Sequence, residues 1–149
     1  MINDNLKLRG DVALVLKDKD GNIKETREIN NLVVTAGLTF ICSRMAGTSA
    51  GVMSHMALGS GTTAAAAGQT DLVSILGSRE ALDSTSASAN TITFISSFEA
   101  GEGTGSVTEC GCFNAASSGT MLARTVFAVV NKQADDTMSV TWTITLSAS

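Results

Sequence analysis

The chain of 149 residues predicts an all-β fold, a jelly-roll-like two-sheet β-sandwich with one short helix. Three observations carry the prediction. Several segments alternate apolar and polar residues with the two-residue period of a half-buried strand. Asp-Gly or glycine-rich turn signals separate them. One stretch, "TAGLTFICSRMAG", instead keeps its apolar residues at helical spacing.

In chain order, Leu6 and Leu8, then Val12, Leu14 and Leu16, mark a first strand. "KDKDGN" follows, and Asp20-Gly21 signals a hairpin because glycine accepts positive φ without a Cβ clash. Asp18 and Asp20 lack the third acid and closing glutamate of a calcium loop, so a plain turn is expected. "IKETREI" returns as a polar, edge-like or partner-facing strand. The helix is expected over Thr35–Ala46, with Thr35 as N-cap, Arg44 near the negative end of the dipole and Gly47 just beyond it. Leu38, Ile41, Cys42 and Met45 form its apolar face, and the helix plugs one side or end of the sheets.

"HMALGS" and "SREALDS" read as short strands. "NTITFISSFEA" alternates and then slips after Ser96. "SVTECGCFN" places Val107, Glu109, Gly111 and Phe113 on one face and Thr108, Cys110 and Cys112 on the other. "MLARTVFAVV" is apolar enough to be covered on both faces. The last strand carries Met138, Val140, Trp142, Ile144 and Leu146 on one face and Ser and Thr on the other. About eight strands result. The length fits a single β-sandwich domain over residues 1–149, and the polar start suits an extended N-terminal arm over residues 1–9.

Composition restricts the partners. The net charge is −4, and the ten Lys and Arg are scattered, which argues against nucleic acid. No apolar run reaches membrane-spanning length, and "MINDNLKLRG" has no apolar core of a signal peptide. Folding in a cytosol follows, with Cys42, Cys110 and Cys112 reduced. Charged residues are only 16%, against about 25% in a typical soluble domain, while hydrophobic residues are 44%. That balance points to a surface partly covered by other chains.

No chemistry assembles. "GSGTTAAAAGQTDL" has glycines at Gly59, Gly61 and Gly68 but lacks the lysine of a phosphate loop. It reads as a close-packed connection, with Thr70 or Asp71 capping one helical turn. The sole histidine, His55, has no assignable nucleophile and carboxylate beside it and is expected to be structural. Cys110 and Cys112 leave a strand on the same face, as a metal site requires, but the chain supplies few further ligands; they read as core fillers. Glu99, Glu102 and Glu109 flank the turn "EAGEGTG" and read as solvated. The sequence predicts no enzyme, no cofactor and no catalytic or metal-ligating residues.

"NNLVVTAGLTFICSRM", "SHMALGSGTTAAAAGQTDL", "VTECGCFNAASSGTMLARTVF" and "VTWTITL" succeed one another in an order that resembles small virion proteins of tailed bacteriophages. The resemblance covers most of the chain from Asn30 onward. It is strongest to the capsid cement, or decoration, proteins of short-tailed phages such as those of Bordetella. Cys110 and Cys112 depart from the family, standing where apolar residues are usual. The resemblance implies a non-enzymatic jelly-roll domain on the capsid exterior, binding the major capsid protein and forming a homodimer. Assembly in the host cytoplasm and location in the virion follow from it. The expected contact surfaces are Met1–Arg9, the hairpin at Asp20-Gly21 and the small-residue segment Gly59–Gln69. The competing expectation is a tail, fibre or baseplate component of the same β-sandwich type.

Overall fold

The computed structural model describes residues 5–47 and 51–148. In chain order the elements are β1 (Leu6–Lys17), β2 (Ile23–Val33), α1 (Thr35–Met45), β3 (His55–Gly59), β4 (Glu80–Ala81), β5 (Ser84–Ser88), β6 (Thr91–Phe98), β7 (Gly105–Phe113), β8 (Met121–Lys132) and β9 (Thr137–Ala148). The strands form one curled antiparallel sheet in the order β4-β3-β7-β8-β2-β1-β9-β6-β5. The fold is all-β with one short helix, as the alternation predicts.

Strand β2 is the corner. It pairs with β1 from Gly10↔Asn31 to Lys17↔Ile23, but meets β8 only through Leu32 and Val33. The sheet therefore bends there into two halves that face each other. At the opposite side the outermost strands β4 and β5 are consecutive in the chain. Leu82 and Asp83 join them, donating their backbone N–H groups to Ser54 O and Ile95 O. Ser96 Oγ adds a bond to Ala81 O at 3.2 Å.

One contiguous core fills the space between the halves. Val12, Leu14 and Leu16 of β1, Phe94 and Phe98 of β6, and Met138, Val140, Trp142 and Ile144 of β9 come from one half. Met56, Leu58, Val107, Cys110, Cys112, Leu122 and Val130 come from the other. Each large side chain fully removed from water stabilises the fold by about 1.5–3 kcal/mol. The β1–β9 ladder is unbroken from Leu6↔Ala148 to Lys17↔Thr137. Leu6–Arg9 are thus part of a strand and not of a free arm; residues 1–4 of the expected arm lie outside the described residues. The β2 reading as edge-like holds over its first part, where β1 is the only ladder partner among the described residues.

Five local expectations are corrected. The helix ends at Met45 with Ala46 as C-cap, and its N-cap is Val34, which offers no side-chain bond. Thr35 lies inside the first turn, and its N–H donates to Ala67 O at 2.8 Å. The helix packs through Gly37, Phe40 and Ile41, leaving Leu38, Cys42 and Met45 exposed. Gly37 sets this orientation, because a Cβ there would lie 2.1 Å from Leu122 O.

"SREALDS" divides into β4 and β5, because the chain crosses from one half to the other at Leu82–Asp83. The slip after Ser96 is absent. Ser96 stays on the inner face with Phe94 and Phe98, its hydroxyl satisfied by Ala81 O. The β7–β8 register shifts between Val107 and Glu109, where Thr108 alone stands against Phe127, Ala128 and Val129. The shift puts Val107 with Cys110 and Cys112 on the core face and sends Glu109, Gly111 and Phe113 to the other.

Strand β8 is buried on both faces over Met121–Thr125 and opens afterwards, with Ala128 and Val129 exposed. Its outer cover is a second cluster of Val34, Ala57, Phe113 and Met121, packed by Ala36 and Leu72. The start of α1 and the long connection after β3 supply that cover.

Candidate functional site

The connection from Ser60 to Arg79 runs over the outer face of the β3-β7-β8 half. It contains no helical turn, so Thr70 and Asp71 cap nothing; Asp71 Oδ1 accepts from Leu72 N–H at 2.8 Å. Within it Ser60 pairs with Ser74, and Gln69 bonds Ala64 and Ala66. The connection is held by polar groups rising from the sheet beneath, and the chief one is Glu109.

Glu109 is fully buried, which corrects the expectation of a solvated acid. Its Oε1 accepts from the backbone N–H of Gly61 at 2.9 Å and of Ser74 at 2.8 Å. Its Oε2 accepts from Val73 N–H at 3.1 Å and from Arg124 Nε at 2.8 Å. Arg124 is also fully buried and reaches on with Nη1 to Gln69 Oε1 at 2.9 Å. Gln69 Oε1 accepts from Ala66 N–H as well, and Gln69 Nε2 donates to Ala64 O. Thr108 Oγ1 donates to Gly61 O at 2.9 Å.

Two of the three glycines now have a reason, while Gly68 faces open space. A Cβ at Gly59 or Gly61 would stand 2.5 Å from Glu109 Oε1, so both positions admit the carboxylate only without side chains. Burial pushes the Glu109 carboxyl up, but three backbone amides and Arg124 outweigh it, and the group is held below its ordinary value. It is therefore ionised and committed as an acceptor. Nothing in this arrangement leaves a lone pair for acid–base work.

The far end of the connection is fastened separately. Arg79 lies 3.6 Å above the Phe113 ring and donates from Nη1 to Ala115 O and Ser118 O. Outward the connection presents Thr62, Thr63, Ala64, Ala66, Ala67 and Gly68, with Val73 and Ile75 at 53% and 45% exposure and the exposed Asp71 between Gly68 and Val73. The stretch from Thr62 to Gly68 is an uncharged ledge on a base fixed by Glu109 and Arg124.

The other expected positions are placed as follows. The Asp20-Gly21 turn is exposed, with Gly21 at φ +84°. Asp18 organises it, accepting from the N–H groups of Asp20 and Asn22, and those bonds hold its carboxyl below the usual range. His55 is half-buried with Nδ1 2.8 Å from Ser54 Oγ. Cys110 and Cys112 are fully buried in the core; burial pushes both thiols up, Cys112 to about 12. No group of three or more His, Cys, Asp or Glu residues suited to a metal occurs among the described residues.

A second buried ion arrangement was not foreseen. Lys132 Nζ donates to Glu99 O at 2.9 Å and Asp136 O at 2.6 Å, tying the β8–β9 turn to the β6–β7 turn. Asp136 in turn accepts from Lys24 Nζ at 2.6 Å and Gln133 N–H at 2.8 Å. A lysine ending an apolar strand gives no sign in sequence that it folds inward.

The outer face of the β5-β6-β9-β1-β2 half is a polar sheet surface. Its register aligns Ser86, Thr93, Thr143, Asp11 and Asn30 in one row, and Ser84, Ile95, Thr141, Ala13 and Glu28 in the next. No family model, curated protein or solved structure matches the chain.

Proposed function

We propose that this chain is a non-enzymatic capsid cement protein of a tailed bacteriophage, binding the outside of the shell across adjacent major capsid subunits. The observation that carries the reading is the ledge of residues 62–68 with Val73 and Ile75. An ion pair withdrawn from water serves there to hold a chemically inert surface in one shape. Pre-shaped, uncharged surfaces with exposed apolar residues suit protein–protein contact, because little ordering entropy remains to be lost on binding. The low charge and the order of the sequence blocks from Asn30 onward point the same way.

The mechanism needs no reaction. Packaged DNA presses on a thin shell, and a domain gripping two subunits makes their separation costlier. About 1,200–2,000 Å² of buried surface suffices for a specific contact. A homodimer bridging two such contacts gains further through effective concentration.

The test is the behaviour of particles assembled without the protein. They are expected to lose DNA at lower temperature or on osmotic shock, and added protein restores them. Robust particles that fail to adsorb to cells would overturn the reading in favour of a tail or fibre component.

A further inference from the structure

Strand β5 ends the strand order, and its ladder runs only to β6. All five of its residues, Ser84–Ser88, are exposed, and among the described residues no hydrogen bond links their backbone to anything beyond β6. Soluble proteins blunt such edges with charge, proline or a bulge. The open stretch of β2 has that protection in Lys24, Glu25, Arg27 and Glu28. The β5 sequence "STSAS" has none, and its register with β6 is unbroken.

Beside this edge lies an apolar cavity of about 310 Å³, between the inner face of β6 and β9 and the helix α1. Phe40, Ile41, Met53, Ile92, Ile144 and Leu146 line it, Thr85 forms its lip, and Arg44 is the one charged residue of its lining among the described residues. The register puts Thr85 opposite Phe94 and Ala87 opposite Ile92, so these two β5 side chains face the cavity side. A strand laid along β5 would continue that face, turning every second side chain toward the cavity. Free backbone groups beside a pocket for alternate side chains are the two requirements of strand addition.

We propose that the β5 edge and its cavity form a strand-addition site for an extended segment of another polypeptide, one alternating large apolar with small polar residues. A second copy of this chain fits less well. Antiparallel pairing of β5 with itself offers only Thr85 and Ala87, which leave the cavity unfilled. The site stands on the edge and the cavity, whichever assembly the chain serves.

The test uses the full chain and no particle, so its outcome is independent of the cement reading. Hydrogen exchange is first measured on the free chain at low and high concentration. A random peptide library is then panned on it, with Thr85→Lys and Ala87→Glu as counter-targets and Ser117→Lys as control. The β5 amides that do not bond β6 are expected to exchange fast at both concentrations. Selected peptides should alternate apolar and polar residues. They should lose roughly tenfold or more in affinity for Thr85→Lys and Ala87→Glu, and on N-methylation of alternate peptide amides, with Ser117→Lys unchanged.

Protection of β5 that grows with concentration would overturn the proposal in favour of a second copy. Protection at both concentrations would mean that the chain covers its own edge, and would also overturn it. So would a selection in which no peptide distinguishes the two edge variants. Peptides that bind without alternation and survive N-methylation would reduce the site to an apolar hole.

Discussion

Glu109 Oε2 lies 2.8 Å from both Nε and Nη2 of Arg124, and neither side chain is accessible to water. The two sit diagonally across β7 and β8, since Glu109 faces Val126 and Arg124 faces Gly111. The pair holds down a connection rather than a core. Removing one partner strands the other charge, which costs about 3–5 kcal/mol. Glu109→Gln and Arg124→Met are each expected to lose that much in urea unfolding, and the double variant less than their sum. The same single variants should expose the Thr62–Gly68 ledge to proteolysis before global unfolding.

The pH dependence follows from signs. Glu109 and Asp136 both titrate below their ordinary values when folded, Glu109 against its burial and Asp136 chiefly through Lys24. Their stabilisation is present above the unfolded carboxylate range of about 3.9–4.3 and is lost as pH falls through the lower folded values. Lys132 is shifted down by burial, so the folded state binds its proton more weakly. Its contribution therefore improves as pH rises through the folded value toward about 10.4. Urea midpoints across pH should show the acid limb flattened in Glu109→Gln and the alkaline limb flattened in Lys132→Met.

Trp142 is fully buried, and its Nε1 has no hydrogen-bond partner among the described residues. Its fluorescence is expected to be blue-shifted and to move red on unfolding. Trp142→Ala should cost about 3–5 kcal/mol through lost burial and the cavity left behind. Trp142→Phe should cost clearly less, because it also removes an unpartnered donor.

Helix α1 approaches the backbone of β8 only because residue 37 has no side chain. Gly37→Ala is expected to destabilise by about 1–3 kcal/mol, since the clash is with the Leu122 carbonyl and not with a flexible side chain. Amide exchange in α1 should rise more than exchange in β9.

Of the three thiols only Cys42 is exposed. A thiol reagent should modify Cys42 alone in the native protein and reach Cys110 and Cys112 after unfolding. Replacing both by Ala should leave a folded protein, weakened by roughly 1 kcal/mol for each. Stoichiometric zinc in the native protein, lost in that double variant, would contradict their role as core fillers.

Strands with strict alternation were legible in the sequence: β9 follows its pattern from Met138 to Ile144 because one face meets the core and the other meets water. Alternation fails as a guide where the register shifts, and the shift after Val107 parts Val107 from Glu109, Gly111 and Phe113 and puts it on the core face. The helix was found, but of its expected apolar face only Ile41 packs inward. Phe40 and Ile41 outcompete Leu38 and Met45 because Gly37 decides which side approaches β8. The buried charges were illegible for a different reason. Glu109 sits in an acidic, glycine-rich neighbourhood typical of solvent, and its partners Gly61, Val73, Ser74 and Arg124 lie far along the chain in both directions.

The pairing of Leu6 with Ala148 places the first and last strand residues side by side. Tension applied between those two residues therefore peels β1 from β9 one residue pair at a time. That is the mechanically weak direction, since each bond is loaded alone. Pulling between the Leu6 end of β1 and the Thr137 end of β9 instead loads the whole ladder in shear. A tether stretched between Leu6 and Ala148 and a grip across the body would therefore meet very different resistance from the same twelve-residue strands.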